Sequence, residues 1–236
     1  MRILLVCFVA LLRQDDPAAL IQQLGAGEIE SRDAAQRKLE ALGVKARDPL
    51  KKALATAKDD LKARLQAVLD KLPKLEMTLK TVEKPKAGAS VELQVRLKNV
   101  SDDPLVLVGS LDGSDGRRFP YVVIDIKDAD GKAVPWENGK GCGYKNSMRE
   151  KDFVEVKPGA EFDPFQTIDS GGFFGNPKCG WAPPKAGTYS ITVTYDSTPT
   201  DYDAWKGSGE GEKGVAALWA RVCHAKVVKT IEVKVE

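Results

Sequence analysis

Histidine is almost missing from this chain: His224 stands alone among 236 residues. A His-rich metal site, and any mechanism that needs two imidazoles, is thereby excluded. Net charge is nearly missing too. Lys and Arg total 36 against 34 Asp and Glu, a formal balance of +2, so no overall field draws nucleic acid or anionic lipid. Cysteine is scarce, at four residues, and no two are spaced as a zinc knuckle. Aromatics make up 7% and, apart from Phe8, all lie between Phe119 and Trp219. Past the first dozen residues no apolar run has spanning length. What remains is globular in composition, 42% hydrophobic and 30% charged. The length suits one or two domains, with enough core to fold without disulfides or metal.

The N-terminus reads Met1-Arg2, an apolar run from Ile3 to Leu12, then Arg13-Gln14-Asp15-Asp16. One positive charge before a short apolar run fits a secretory signal better than a membrane span. Residues 1–14 are therefore expected to be a signal peptide, although no small-x-small triplet marks its cleavage. The mature protein is expected in the periplasm or outside the cell, with no stable membrane span. The alternative is an apolar segment that packs on the protein or anchors it uncleaved.

From 15 to 72 there is no Trp, Tyr or Phe, and the apolar spacing is helical. Ala35, Leu39 and Leu42 form one stripe; Leu50, Ala53, Leu54 and Ala57 a second; Leu61, Leu65, Val68, Leu69 and Leu72 a third. Asp16-Pro17 and Asp48-Pro49 each read as a capping carboxylate before a first-turn proline, and Ser31 and Asp59 as further caps. Gly25 and Gly43 suit the left-handed residue that ends a helix. Four helices are expected, near 17–24, 31–42, 49–57 and 60–72. The phrase Arg32-Asp33-Ala34-Ala35, Leu39, Leu42-Gly43, Pro49-Leu50 resembles a HEAT-type repeat, which implies a binding scaffold. Only two repeats are visible where a solenoid needs about three. A small self-covering bundle is the other reading.

Beyond Pro73 the period changes from 3.6 to 2. Leu75, Met77 and Leu79 alternate with polar residues, as do Val91 to Leu97, Tyr189 to Tyr195, and Ile231 to Val235. Further strands are expected at 105–108, 121–127, 153–157 and 161–165. Gly-containing turns separate them, Asp130-Gly131 being read as a type I′ hairpin pair. Seven or eight half-buried strands predict an antiparallel two-sheet sandwich. The expected fold class is thus α+β by segregated domains: a helical domain over 15–72, then a β-sandwich over 75–236.

Val91–Asn99 followed by Ser101 and Pro104 resembles an early strand of bacterial immunoglobulin-like modules. Asp128–Lys132, Val156–Gly159 and Ala186–Tyr189 resemble a hairpin and the later strand entries of the same modules. The resemblance implies an immunoglobulin-like sandwich and, because such sandwiches host many roles, little about function. The bacterial proteinase-inhibitor family shares this grammar, without a motif here that marks an inhibitory loop.

Chemistry-bearing residues are few. In an oxidising compartment Cys142 and Cys179, both in Gly-rich stretches, are the candidate disulfide; outside one, the thiols stay reduced. A Cys₃-His zinc site from Cys142, Cys179, Cys223 and His224 has the right residue types and the wrong spacing. Cys223 and His224, adjacent on an extended chain, would point to opposite faces and cannot act together. Asp128-x-Asp130-Gly131 begins like a calcium loop, but Lys132 occupies a ligand position, so a turn is the better reading. Phe173, Phe174, Trp181, Tyr202 and Trp205 fall in long connections. Exposed together they would form a sugar- or protein-binding patch; packed together, a second small core. No catalytic residue, metal or cofactor is expected. The reading is an exported, non-enzymatic interaction protein that binds protein or a surface polymer, with no nucleic acid. The alternatives are a carbohydrate-binding module and a proteinase-inhibitor-like protein.

Overall fold

The computed structural model describes residues 16–109, 120–135, 147–165, 181–199, 201–206 and 214–236. The signal segment, Cys142, Cys179, Phe173 and Phe174 lie outside the described residues. The chain divides into two compact units, one ending at Lys74 and the other beginning at Leu75. No helix among the described residues is long and apolar enough to cross a membrane.

The first unit holds four helices: α1 (Pro17–Leu24), α2 (Ile29–Leu42), α3 (Val44–Thr56) and α4 (Asp59–Lys71). Asp16 caps α1 as its sequence suggests, its carboxylate accepting the Ala18 amide at 3.2 Å ahead of Pro17. The apolar stripes meet in one core of Leu20, Leu24, Ala35, Leu39, Ala46, Leu50, Leu65, Val68, Leu69 and Leu72. Every pair of the four helices is in contact. The unit thus packs its apolar stripes against one another. Arg47 is buried, and its guanidinium donates to the Leu72 and Pro73 carbonyls at 3.4 and 2.9 Å, tying α3 to the exit of α4.

Three local expectations are corrected here. Asp48-Pro49 does not start a helix; α3 begins at Val44 and carries Pro49 inside it. Ser31 lies within α2, whose cap is Glu28, and Asp59 is the first residue of α4 behind Lys58. Gly25 ends α1 with φ −89°, right-handed and not left-handed. Gly43 does take a positive φ, 58°, and the reason is that α2 and α3 abut there with no intervening loop.

The second unit is an antiparallel immunoglobulin-like β-sandwich. Its strands are β1 (Leu75–Thr81), β2 (Leu93–Asn99), β3 (Leu105–Val108), β4 (Tyr121–Asp128), β5 (Phe153–Val156), β6 (Glu161–Phe162), β7 (Gly187–Asp196) and β8 (Lys226–Val235). They pair as β1-β2-β6, β3-β5 and β4-β7-β8. The inward residues of all three sheets fill one core, with Leu97, Leu107, Ile126, Phe162, Ile191, Val193 and Val235 among them. Tyr189 joins that core and donates its hydroxyl to the Lys185 carbonyl at 3.0 Å, the local geometry of a tyrosine corner.

Buried polar groups act as struts. Asn99, at 0% exposure, donates both amide hydrogens, to the Asp103 and Val156 carbonyls at 2.8 and 2.9 Å. Its side-chain oxygen accepts from the Ser101 amide and hydroxyl at 2.9 and 2.7 Å. The β4 hairpin is held in the same way. Asp128 Oδ1 accepts from the Asp130 and Lys132 amides, and Gly131 alone there takes a positive φ, 77°. One left-handed residue after a turn is a bulged hairpin, so the type I′ expectation is corrected.

Candidate functional site

Two places combine exposed or polar chemistry with a defined frame. The first is the connection between β7 and β8. It carries two short helices, α5 (Tyr202–Lys206) and α6 (Val215–Trp219). Trp205 is 0% exposed, and its indole N–H donates to the Pro199 carbonyl at 3.0 Å. With Val106, Val108, Met148, Val215 and Val222 it forms a second core, against which Tyr202 and Trp219 pack half-buried. Tyr202 meets Trp219 edge-on at 5.4 Å between ring centroids, and Trp205 meets Trp219 at 6.4 Å.

His224 closes this cluster. Its ring stands 5.8 Å from Trp205 and 5.6 Å from Trp219, and Nδ1 lies 2.7 Å from the Ser197 carbonyl oxygen. A carbonyl only accepts, so Nδ1 carries the proton in this bond. Ser197 is itself buried; its hydroxyl accepts from the Ala225 amide at 2.9 Å, and its own amide donates to the Ala225 carbonyl at 2.9 Å. Cys223 packs against the main sandwich core while His224 packs against the indoles, so the two neighbours diverge.

Of the described candidate aromatics, Trp181 and Trp205 are core residues and Tyr202 is half-buried. Trp181 is 3% exposed, stacked edge-on against Tyr189 at 5.2 Å, and Trp205 is sealed in the second core. Neither offers a ring face to a ligand. No set of three or more His, Cys, Asp or Glu among the described residues is arranged to hold a metal ion. Asp201 serves α5 by accepting the Asp203 amide at 3.0 Å.

The second place is the outer face of the β4-β7-β8 sheet. Register fixes its rows, read from β4 through β7 to β8: Val123–Thr194–Val228, Asp125–Thr192–Thr230 and Lys127–Ser190–Glu232. An alternating sandwich strand normally shows water a polar face. Here Val123 and Val228 are 43% and 53% exposed, on either side of Thr194. Thr192 and Thr230 share a hydroxyl hydrogen bond at 2.9 Å, which stiffens the middle row. The result is a largely β-branched surface with one apolar row, a polar middle and one row bearing both charge signs, bounded beyond the apolar row by the Asp196–Lys226 ion pair at 3.3 Å. Sequence reading did not find it, because its rows exist only once three distant strands are in register.

Comparison with known proteins leaves the family open. No family model matches the chain, and no curated protein matches it. Among solved structures, a native alpha-2-macroglobulin fragment from Escherichia coli is similar over 69% of this chain at 13% identity and TM-score 0.30. The CARDB domain of a Pyrococcus furiosus protein, in complex with di-metal ions, is similar over 70% of this chain and 89% of its own at 15% identity and TM-score 0.28. A β-glucosidase from Listeria innocua, in complex with gluconolactone, is similar over 68% at 15% identity and TM-score 0.23. The chain spans 16% of the length of the macroglobulin and glucosidase chains.

Proposed function

We propose that this protein is an exported, non-enzymatic interaction module that binds a protein partner through the outer face of β4-β7-β8. The observation that carries the reading is the exposed Val123–Thr194–Val228 row on a rigid three-stranded frame. Exposed β-branched side chains on a paired sheet lose little entropy on binding, so their burial is recovered efficiently. Export rests on the apolar run Ile3 to Leu12.

Placing a photo-reactive amino acid at Val123 or Val228 tests the proposal in the cell that makes the protein. Both positions, but not the exposed Lys80 on β1, are expected to give the same cross-linked protein adduct. Absence of an adduct at both positions rejects this face, and turnover of a substrate by the purified chain, lost on one point change, rejects the non-enzymatic reading.

A further inference from the structure

Resting on the interaction reading, we infer that the occupant of the β4-β7-β8 outer face is a second copy of this chain, facing it across a two-fold axis parallel to β7. The register argues for this occupant. Such an axis sets β7 over its copy and each β4 over the other subunit's β8. Val123 then meets the second copy's Val228, and Val228 meets the second copy's Val123, closing both apolar ends of the row. In the charged row Lys127 meets the second copy's Glu232, and the reverse, while Ser190 meets Ser190. Asp125 meets Thr230, and at the end of the sheet Asp196 meets the second copy's Asp196, each carboxylate paired with its own Lys226 at 3.3 Å.

Within one subunit Lys127 and Glu232 stand two strands apart across Ser190, about 10 Å, too far to pair. Both are exposed. A face with opposite charges at the two ends of one row, on either side of its central strand, is self-complementary under that rotation, as an isologous interface requires. The occupied area is modest. Three strands about 4.8 Å apart and about eight residues long give roughly 400 Å² per subunit, below the usual area of a stable interface at about 800 Å² per partner. The dimer is therefore concentration-dependent and weakened by salt.

Analytical ultracentrifugation of the full chain from about 10 μM to about 1 mM is expected to show a monomer–dimer equilibrium. Lys127→Glu and Glu232→Lys, each alone, are expected to weaken it at least about tenfold, because like charges then face each other. Mixing the two variants is expected to restore association, since each supplies the charge the other lacks. That rescue cannot arise from misfolding, and unchanged circular dichroism of both variants checks the fold. Cysteine trapping gives a second readout. Val123→Cys mixed with Val228→Cys should cross-link above the background of the unsubstituted chain, and Val123→Cys alone should not. A chain that stays monomeric throughout, or a dimer indifferent to both charge reversals, overturns the inference. If the chain is monomeric while the photo-reactive positions trap a different protein, self-association falls and the interaction reading stands. If they trap nothing, both fall.

Discussion

Asn99 shows how much structure one polar side chain can carry. Its amide has two donors and two acceptor positions, and all four are used, on the turn that follows β2 and on the end of β5. Its backbone is engaged as well: the N–H donates to the Ala160 carbonyl at 3.0 Å, and the carbonyl accepts from the Gly159 amide at 2.8 Å. The triplet Asn99-Val100-Ser101 has the form of an N-glycosylation acceptor, yet the amide nitrogen is spent inside the fold and Asn99 is wholly buried. Asn99→Ala strands the buried Val156 carbonyl, takes one of its two donors from the Asp103 carbonyl and frees the 101–104 turn. A loss of about 2 kcal/mol in urea unfolding is expected, from the buried carbonyl left unsatisfied and the freed turn. Asn99→Asp should cost a similar amount at neutral pH, because it replaces a donor with a charge facing two carbonyl oxygens. A loss below 1 kcal/mol for both would mean that the turn is held by other contacts.

At the scale of elements, legibility followed alternation. Whereas β3 is an unbroken apolar run buried on both faces, strands such as β1, β2 and β7 fall on segments whose alternation announces them, because one face is buried and the other is wet. The start of β8 was missed for the same reason. Between Lys226 and Thr230 both faces are largely exposed, Lys229 included, so the sequence there has no period to read. Inward-turned charge of this kind also protects an edge strand from stray pairing. The helices were legible in their stripes and not in their ends: Asp48-Pro49 has the chemistry of a cap, but packing of Ala46 and Arg47 extends α3 back to Gly43. The loop aromatics were open to two readings from sequence; Trp205 packs into the second core and Trp181 into the main one, while Phe173 and Phe174 lie outside the described residues. Gly43 is the hinge of this arrangement, with φ 58° and ψ −131°. A Cβ there would meet nothing closer than Pro73 Cγ at 3.9 Å, so Gly43→Ala is penalised by the backbone alone. The expected cost is about 1–3 kcal/mol, read as a loss of helical signal on thermal melting. Gly27→Ala, also without a close neighbour and at no positive φ, is the control that should leave the melt unchanged.

For the molecule as a whole, pH separates the two sides of the sandwich's stability. On the acid side Asp196 is held below the ordinary carboxylate range. Burial opposes its charge, but the Thr198 hydroxyl and amide and the Lys226 ammonium outweigh it. A lowered carboxylate contributes stability that is present above about pH 4 and lost as pH falls further. On the alkaline side the controlling group is Tyr195, buried in the main core with its hydroxyl donating to the Val108 carbonyl at 3.0 Å. Burial pushes its ionisation well above the tyrosine range and the nearby Cys223 thiol adds to this, while the bonds to Ser197 and Val108 offset only part. The folded chain therefore keeps a proton that the unfolded chain releases near pH 10. Stability is unaffected by this group below that pH and falls above it, by up to about 1.4 kcal/mol per unit. Tyr195→Phe separates the two roles of the hydroxyl. At pH 7 the variant should lose about 1–2 kcal/mol, because the Val108 carbonyl is left without its donor. Between about pH 10 and pH 11.5 its urea midpoint should decline less steeply than that of the parent chain, by one proton's worth of slope. Parallel declines in the two chains would show that Tyr195 does not govern alkaline unfolding, and that the proton released there comes from another group.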